Sequence, residues 1–245
     1  MMQNIIRIAM WSGPRNLSTA LMRSFESRDD CHVTDEPFYG SFLKRTSIDH
    51  PMANEVINEM ECNYEKVAKE INGPLINNKS IWYQKHMSHH ILEGDDISWS
   101  QNMTNCFLIR SPEDMLFSYK KRREKFTSDD FGLEKQLEIF QKISSYSAKI
   151  PPVVDINKLL QDPEKYLKKL CELIDIPFSY KMLKWKAGSR ESDGLWGKHW
   201  YKNVIETTGF IRKNSVKSDY NFTQDMKDIL EIIRPAYKKL AEYSI

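Results

Sequence analysis

Ile5 to Met10 is a short apolar run rich in isoleucine, broken only by Arg7, and it stops at Trp11-Ser12-Gly13-Pro14. Glycine and proline together end a strand there. Beyond them Leu17, Leu21, Met22 and Phe25 fall at helical spacing, which predicts a helix from about Ser18 to Arg28. Strand, tight turn and helix make half of a βαβ unit, and they set a helix N-terminus, with its unpaired N–H groups, against the end of a buried central strand.

The same alternation recurs. Cys31 to Thr34 reads as a second strand ending at Asp35-Glu36-Pro37, where the proline stops the ladder. Residues 51–71 alternate charged and apolar positions at helical period up to Asn72-Gly73-Pro74. Ser80 to Gln84 reads as a third strand, followed by Lys85 and a histidine-rich turn, and Asn105 to Ile109 as a fourth. Behind that strand Ser111 is a helix cap, Pro112 takes the first helical position, and Glu113 and Asp114 fill the first turn. Leu133 to Ile150 predicts a long amphipathic helix, Pro152 to Asp155 a short strand, Pro163 to Ile174 a further helix, and Gln224 to Tyr243 a last one, kinked at Pro235. Strands alternating with helices predict an α/β fold of three layers, a central parallel sheet flanked by helices.

With 245 residues, 40% of them hydrophobic, one domain over residues 1–245 is expected. Its stretch 180–223 is rich in tryptophan, glycine and charge but weak in period, so loops and short helices over the sheet are expected there. The 36 basic and 34 acidic side chains nearly cancel, so charge gives no reason to expect nucleic acid or a membrane surface as partner. Cys31, Cys62, Cys106 and Cys171 form no CxxC pair, which suggests neither zinc nor a disulfide framework and fits a reducing cytoplasm. The first residues lack the basic start and long apolar core of a secretory signal, and no window approaches a bilayer-spanning run.

In an open parallel sheet, ligands bind at the carboxyl ends of the strands. Four polar clusters are expected there: Ser12 to Thr19, Asp35-Glu36, Lys85 to His90, and Arg110 to Ser118. Ser12-Gly13-Pro14-Arg15-Asn16-Leu17-Ser18-Thr19 lacks the GxxxxGK[ST] spacing of a nucleoside triphosphatase loop but keeps a turn, a cation and hydroxyls on the first helical turn. That is enough to cradle a phosphate; a plain cap by Asn16 or Ser18 with Arg15 solvated is the ordinary alternative. Arg110 and Ser118 are suited to a second phosphate, although a surface pairing of Arg110 with Glu113 or Asp114 would also account for the arginine. Two anion sites at neighbouring strand ends point to a ligand phosphorylated in two places.

Pro14 to Thr19 resembles the 5′-phosphosulfate loop of sulfotransferases, PKSGTT, with Arg15 where lysine is usual and Ser18-Thr19 at the paired hydroxyls. Phe107 to Tyr119 is similar to that family's 3′-phosphate segment, RxPxDxxxSY. Leu160 to Phe178 is similar to the dPxxxLxxLCxFLGxPF stretch that follows in many members, and SGPRNLSTALM, DEPxYG and GxWxxHWY match a bacterial subgroup. The resemblance covers roughly Ile5 to Phe178. It implies a P-loop-like sulfotransferase fold, 3′-phosphoadenosine 5′-phosphosulfate (PAPS) as donor, adenosine 3′,5′-bisphosphate (PAP) as product, and a small-molecule, sugar or lipid acceptor attacking through a hydroxyl or amine.

Glu36-Pro37 is similar to the GEP segment that supplies the proposed base in some bacterial carbohydrate sulfotransferases, making Glu36 the first candidate for general base. Capping of the loop, or pairing of Asp35 and Glu36 with Arg15, is the structural alternative. Lys85 to His90 resembles the KTHLP segment that holds the catalytic histidine of cytosolic members, so His89 is the second candidate. Arg15 and Lys85 are the cations expected to stabilise the leaving 5′-phosphate. No metal is expected, because the histidines have no partner at a known ligand interval and positioned cations suffice for a sulfuryl group. Gly209-Phe210-Ile211-Arg212-Lys213 is faintly like the RKG segment of cytosolic enzymes, which adds Arg212 as a 3′-phosphate ligand. Gly188 to Tyr201 fits either a lid or acceptor wall, or tryptophans packed as core. A kinase-like phosphotransferase and a non-catalytic nucleotide-binding protein are the competing classes; the missing Walker spacing speaks against the first, and the set Glu36, Arg15, Arg110 and Ser118 against the second.

Overall fold

The computed structural model describes residues 5–75, 78–121, 123, 125–211 and 220–245. Among them, β1 (Ile6–Ser12), β2 (Cys31–Asp35), β3 (Ile81–Met87), β4 (Thr104–Ile109) and β5 (Val153–Asp155) form one parallel sheet in the order β2-β3-β1-β4-β5. The expected central strand is thus β1. Because β3 and β4 pair on opposite sides of it, the crossovers diverge there and leave a crevice at the carboxyl ends.

Ile8, Ala9, Met10 and Trp11 are all fully buried, which explains why the first strand reads as an unbroken apolar run rather than an alternating one. Ile8 and Met10 pack with Leu21, Met22 and Phe25 of α1 (Ser18–Glu26) on one face. Ala9 and Trp11 face the other way. There they meet Val67, Ile139, Phe140, Ile143 and Leu240. Each aliphatic side chain buried in these layers contributes roughly 1.5–3 kcal/mol.

The helices that follow are α2 (Tyr39–Thr46), α3 (Ala53–Glu59), α4 (Tyr64–Glu70), α5 (Pro112–Lys120), α6 (Leu133–Tyr146), α7 (Ile156–Gln161), α8 (Pro163–Leu173), α9 (Gly197–Trp200), α10 (Lys202–Ile205) and α11 (Gln224–Ala241). The single helical stretch expected over 51–71 is two helices, because Met60 is extended and Asn63 accepts from the Lys66 N–H as a new N-cap. α1 stops at Glu26 rather than Arg28, where the Arg28 guanidinium is drawn onto Asp30 and the Pro177 carbonyl. α6 ends at Tyr146, and α11 continues across Pro235. Ser111 caps α5 with Pro112 in its first turn, as the sequence predicts.

The 180–211 stretch forms short helices and turns, with Trp196 and Tyr201 buried against Tyr39, Phe42, Leu43 and Val56. It is pinned to α1: Asp193 accepts from the buried Arg23 guanidinium at 2.7 and 2.8 Å, and Arg190 pairs with Glu26 at 2.9 Å. Gly194, at φ 63°, has no room for a side chain, since a Cβ would lie 2.4 Å from the Trp196 ring. The expectation for Arg212 falls outside the described residues.

Candidate functional site

The turn after β1 is shaped by close approach. A Cβ on Gly13 would lie 2.3 Å from the Phe131 carbonyl oxygen, so only glycine lets the chain leave the strand there. Gln136 of α6 donates to the Trp11 and Leu108 carbonyls at 3.0 Å each, and Asn16 donates to the Leu108 carbonyl at 3.1 Å, which ties the loop to β4. Arg15 and Leu17 both adopt positive φ, at 61° and 59°, a costly conformation for residues with a side chain. Leu17 is the N-cap of α1 and supplies no side-chain hydrogen bond, so neither Asn16 nor Ser18 caps the helix. The first N–H groups of α1 are left facing the crevice, beside Ser18 and Thr19.

The two strand-to-helix junctions meet. Arg15 Nε donates to Ser118 Oγ at 2.9 Å, and Arg110 Nη1 donates to the Arg15 carbonyl at 2.7 Å. Arg110 is buried and 3.7 Å from Asp114, so the pairing exists but not as a surface one. Glu113 turns away to Arg234 at 2.9 Å. Burial holds the Arg110 guanidinium below its ordinary range, with Asp114 opposing that shift.

Asp35 and Glu36 do not pair with Arg15 but converge on Lys85. In a regular strand successive side chains point to opposite faces; Glu36, at φ 46°, turns its carboxylate back to the side of Asp35. Lys85 Nζ lies 2.6 Å from Asp35 Oδ1 and 2.9 Å from Glu36 Oε1, and it donates to Tyr201 Oη at 2.6 Å and to Thr19 Oγ1 at 3.3 Å. Tyr201 in turn donates to Asp35 Oδ2 at 2.6 Å, with Glu36 Oε1 at 3.3 Å, and accepts from Trp196 Nε1 at 3.1 Å. Lys85 has three hydrogens for its four acceptors, so one of the four contacts is left without a hydrogen at any moment. Burial raises the Asp35 carboxyl to about 7, against the lowering pull of Lys85. Burial also opposes the charge on Lys85, but Asp35 and Glu36 outweigh it and hold the ammonium above its ordinary value.

The histidine-rich turn begins later than expected, because Lys85, His86 and Met87 continue β3. His86 points to the other face, between Trp11 and Trp99, with Nε2 3.2 Å from Gln84 Oε1. His89 and His90 lie on the same side as Glu36, and His90 stacks between Tyr39 and Phe42. Desolvation pushes His89 down to about 4, so its imidazole is neutral. Among the described residues no group of three or more His, Cys, Asp or Glu side chains is arranged to hold a metal ion.

One cavity of about 390 Å³ lies among these groups, and its walls include Pro14, Arg15, Leu17, Ser18, Thr19, Glu36, Lys85, His89, Arg110 and Ser118. Ser12, Gly13 and Asn16 stand behind the wall and shape the loop. Trp200, Tyr201, Asn203 and Val204 close the far side, so the 180–211 stretch is both packed core, through Trp196, and cavity wall. The sequence places Asp35 among the polar clusters at the strand ends, but not its pairing with Lys85 nor Tyr201 as a partner of both carboxylates, for which the aromatic and basic enrichment of Trp196 to Tyr201 is the available signal.

Among the described residues, no helix is long and apolar enough to cross a membrane. The sheet and its flanking helices align with the sulfotransferase domain of a Synechococcus olefin synthase at a TM-score of 0.56 and 14% identity, over 95% of this chain and 96% of that one. A sulfotransferase from Alicyclobacillus acidocaldarius aligns at a TM-score of 0.55 and 10% identity, over 97% and 94%. These likenesses establish a sulfotransferase fold. In sequence the chain is 40% identical over 239 residues to branched-chain-amino-acid aminotransferase-like protein 1 of Arabidopsis thaliana, covering 96% of this chain. Protein 2 of that pair is 38% identical over 234 residues. The chain spans about two fifths of the length of these curated relatives, 42% and 41%. The family described as the sulfotransferase domain matches residues 6–242, and the chain therefore belongs to the sulfotransferase domain family.

Proposed function

We propose that the chain moves a sulfuryl group from PAPS to a hydroxyl or amine of a small-molecule, sugar or lipid acceptor, leaving PAP. The observation that carries this reading is the joining of Arg15, Arg110 and Ser118 in one hydrogen-bonded unit, 95 residues apart for the two arginines, in the cavity that also holds Glu36. The residues fit a donor phosphorylated on both sides of its ribose. Arg110 Nε is buried with no hydrogen-bond partner among the described residues, and the α1 N-terminus has no side-chain cap; a phosphate oxygen supplies partners for both.

Bound PAPS supplies a sulfuryl group on a phosphate leaving group. The N–H groups at the start of α1, with the Ser18 and Thr19 hydroxyls, hold the 5′-phosphate, and Arg110 with Ser118 holds the 3′-phosphate. Arg15 and Lys85 meet the charge that develops on the leaving oxygen; the longest Lys85 contact, to Thr19 at 3.3 Å, is the one most easily exchanged for it. Glu36, which borders the cavity while Asp35 does not, accepts the proton of the attacking group. Transfer of label from radiolabelled PAPS to an acceptor panel tests the reading: Glu36→Gln is expected to keep donor binding and lose transfer. Unchanged transfer would move the role of base to His89, which borders the same cavity as a neutral imidazole.

A further inference from the structure

One base needs one carboxylate, yet two converge here. Asp35 and Lys85 have side chains 1% exposed, and Glu36 only 12%. One ammonium faces two carboxylates, so the fully ionised cluster carries a net charge of −1 with almost no water to solvate it, a costly arrangement that uptake of one proton removes. Tyr201 bridges the pair from a different part of the chain: its oxygen is 2.6 Å from Asp35 Oδ2 and 3.3 Å from Glu36 Oε1. Glu36 borders the cavity, whereas Asp35 lies behind it. The line from cavity to interior runs Glu36, Tyr201, Asp35.

We propose that Asp35 is the store for the proton taken from the acceptor, passed to it from Glu36 through the Tyr201 hydroxyl. This rests on the reading of Glu36 as base. As the acceptor oxygen bonds to sulfur and the bond from sulfur to the leaving phosphate oxygen breaks, the acceptor proton goes to Glu36. Lys85 turns its three hydrogens to Asp35, Glu36 and the leaving oxygen, which frees a lone pair on Tyr201 Oη; Glu36 then gives a proton to that oxygen, and the hydrogen already on Tyr201 moves to Asp35 Oδ2. No electrons change hands. Glu36 returns to its ionised form, still paired with Lys85, and the buried cluster becomes neutral. Asp35 and Tyr201 act through Glu36 and are positioning residues for its proton.

The groups facing this cluster leave Asp35 as the natural store. From β3 come Lys85 and Tyr83, from the turn behind it His89 and His90, from α2 Tyr39, and beyond that His50. Burial keeps the three histidines low and both tyrosines high in pKa, so none of them takes or gives a proton near neutrality. The rise of Asp35 to about 7 agrees with the arrangement.

The test follows PAP release from PAPS with water as the acceptor, where chemistry is slow enough to govern the rate, in the wild type and in Asp35→Asn, Tyr201→Phe and Glu36→Gln, with PAP affinity as the control for folding. The rate in wild type is expected to rise through about pH 7, and to curve in mixtures of light and heavy water because two protons move. In Asp35→Asn and Tyr201→Phe the rate is expected to fall by about tenfold or more, the rise through about pH 7 to be lost, and the heavy-water dependence to become linear. Both variants keeping the wild-type limb and curvature, with Glu36→Gln inactive, would overturn the relay and leave Glu36 as base. Absence of PAP release in the wild type, or full activity in Glu36→Gln, would instead remove the underlying reading. Infrared titration of the unliganded protein stands beside these variants: a protonated carboxyl band lost in Asp35→Asn is expected, and its absence at pH 6 counts against the store.

Discussion

Arg23 and Asp193, 170 residues apart in sequence, form an ion pair in which one guanidinium nitrogen contacts both carboxylate oxygens at 2.7 and 2.8 Å, with the side chains 0% and 4% exposed. It fastens the segment that carries Tyr201 to the helix that carries Ser18 and Thr19. Removing one partner leaves a buried charge unpaired, so Asp193→Ala is expected to destabilise the fold by about 3–5 kcal/mol. Urea unfolding measures it; a loss near zero would show that the segment is held by Trp196 and its neighbours alone.

Arg110→Ala is expected to weaken PAP binding by about 10- to 100-fold, the range for a lost charged hydrogen bond. Isothermal titration provides the number. Equal affinity for PAP in both proteins would place the second phosphate elsewhere.

Gly13→Ala probes the turn. The added methyl meets the Phe131 carbonyl oxygen at 2.3 Å, and backbone cannot rotate out of the way as a side chain can, so a cost of about 1–3 kcal/mol is expected, with weaker donor binding because the loop must shift. A thermal melt and a PAP titration on one sample report both; wild-type values for each would mean the turn is not set by this contact.

Acid is expected to loosen the fold through its buried histidines. Burial lowers His89 to about 4 and His86 to about 3 in the folded chain, below the unfolded value of about 6.5. Between those values the unfolded chain binds more protons, so stability rises with pH and is lost as pH falls from about 6.5 toward 4, by up to about 1.4 kcal/mol per pH unit for each histidine. Asp35, raised to about 7, has the opposite sign over much of this window and offsets one histidine. His89→Gln is expected to flatten the slope of stability against pH, measured by chemical unfolding at several pH values. An unchanged slope would mean that His89 is not buried as a neutral ring.

Local chemistry made one half of the site legible. Gly13-Pro14, Ser111-Pro112 and the apolar runs before them mark strand-to-helix junctions from neighbouring residues alone, and the meeting of Arg15 with Ser118 follows once both junctions lie on adjacent strands. The other half depends on long-range pairing. Lys85 reads as the start of a turn because a lysine and a histidine rarely continue a buried strand; they do so here because Asp35, Glu36 and Tyr201 meet the ammonium, and Gln84 meets Nε2 of an imidazole packed between Trp11 and Trp99. Tyr201 lies 116 residues beyond Lys85, in a stretch without period, so no local signal joins them. α2 was missed as well, since Tyr39-Gly40-Ser41-Phe42 has poor helix formers and is helical through burial of Tyr39, Phe42 and Leu43.

The cavity's reading as a donor site for a nucleotide phosphorylated on both sides of its ribose is tested most directly by calorimetric titration with PAP, set against ATP with magnesium. Saturable PAP binding that is lost in Arg110→Ala, with ATP and magnesium bound at least about tenfold more weakly, is the predicted result. Preference for ATP and magnesium, or PAP binding indifferent to Arg110, would contradict it.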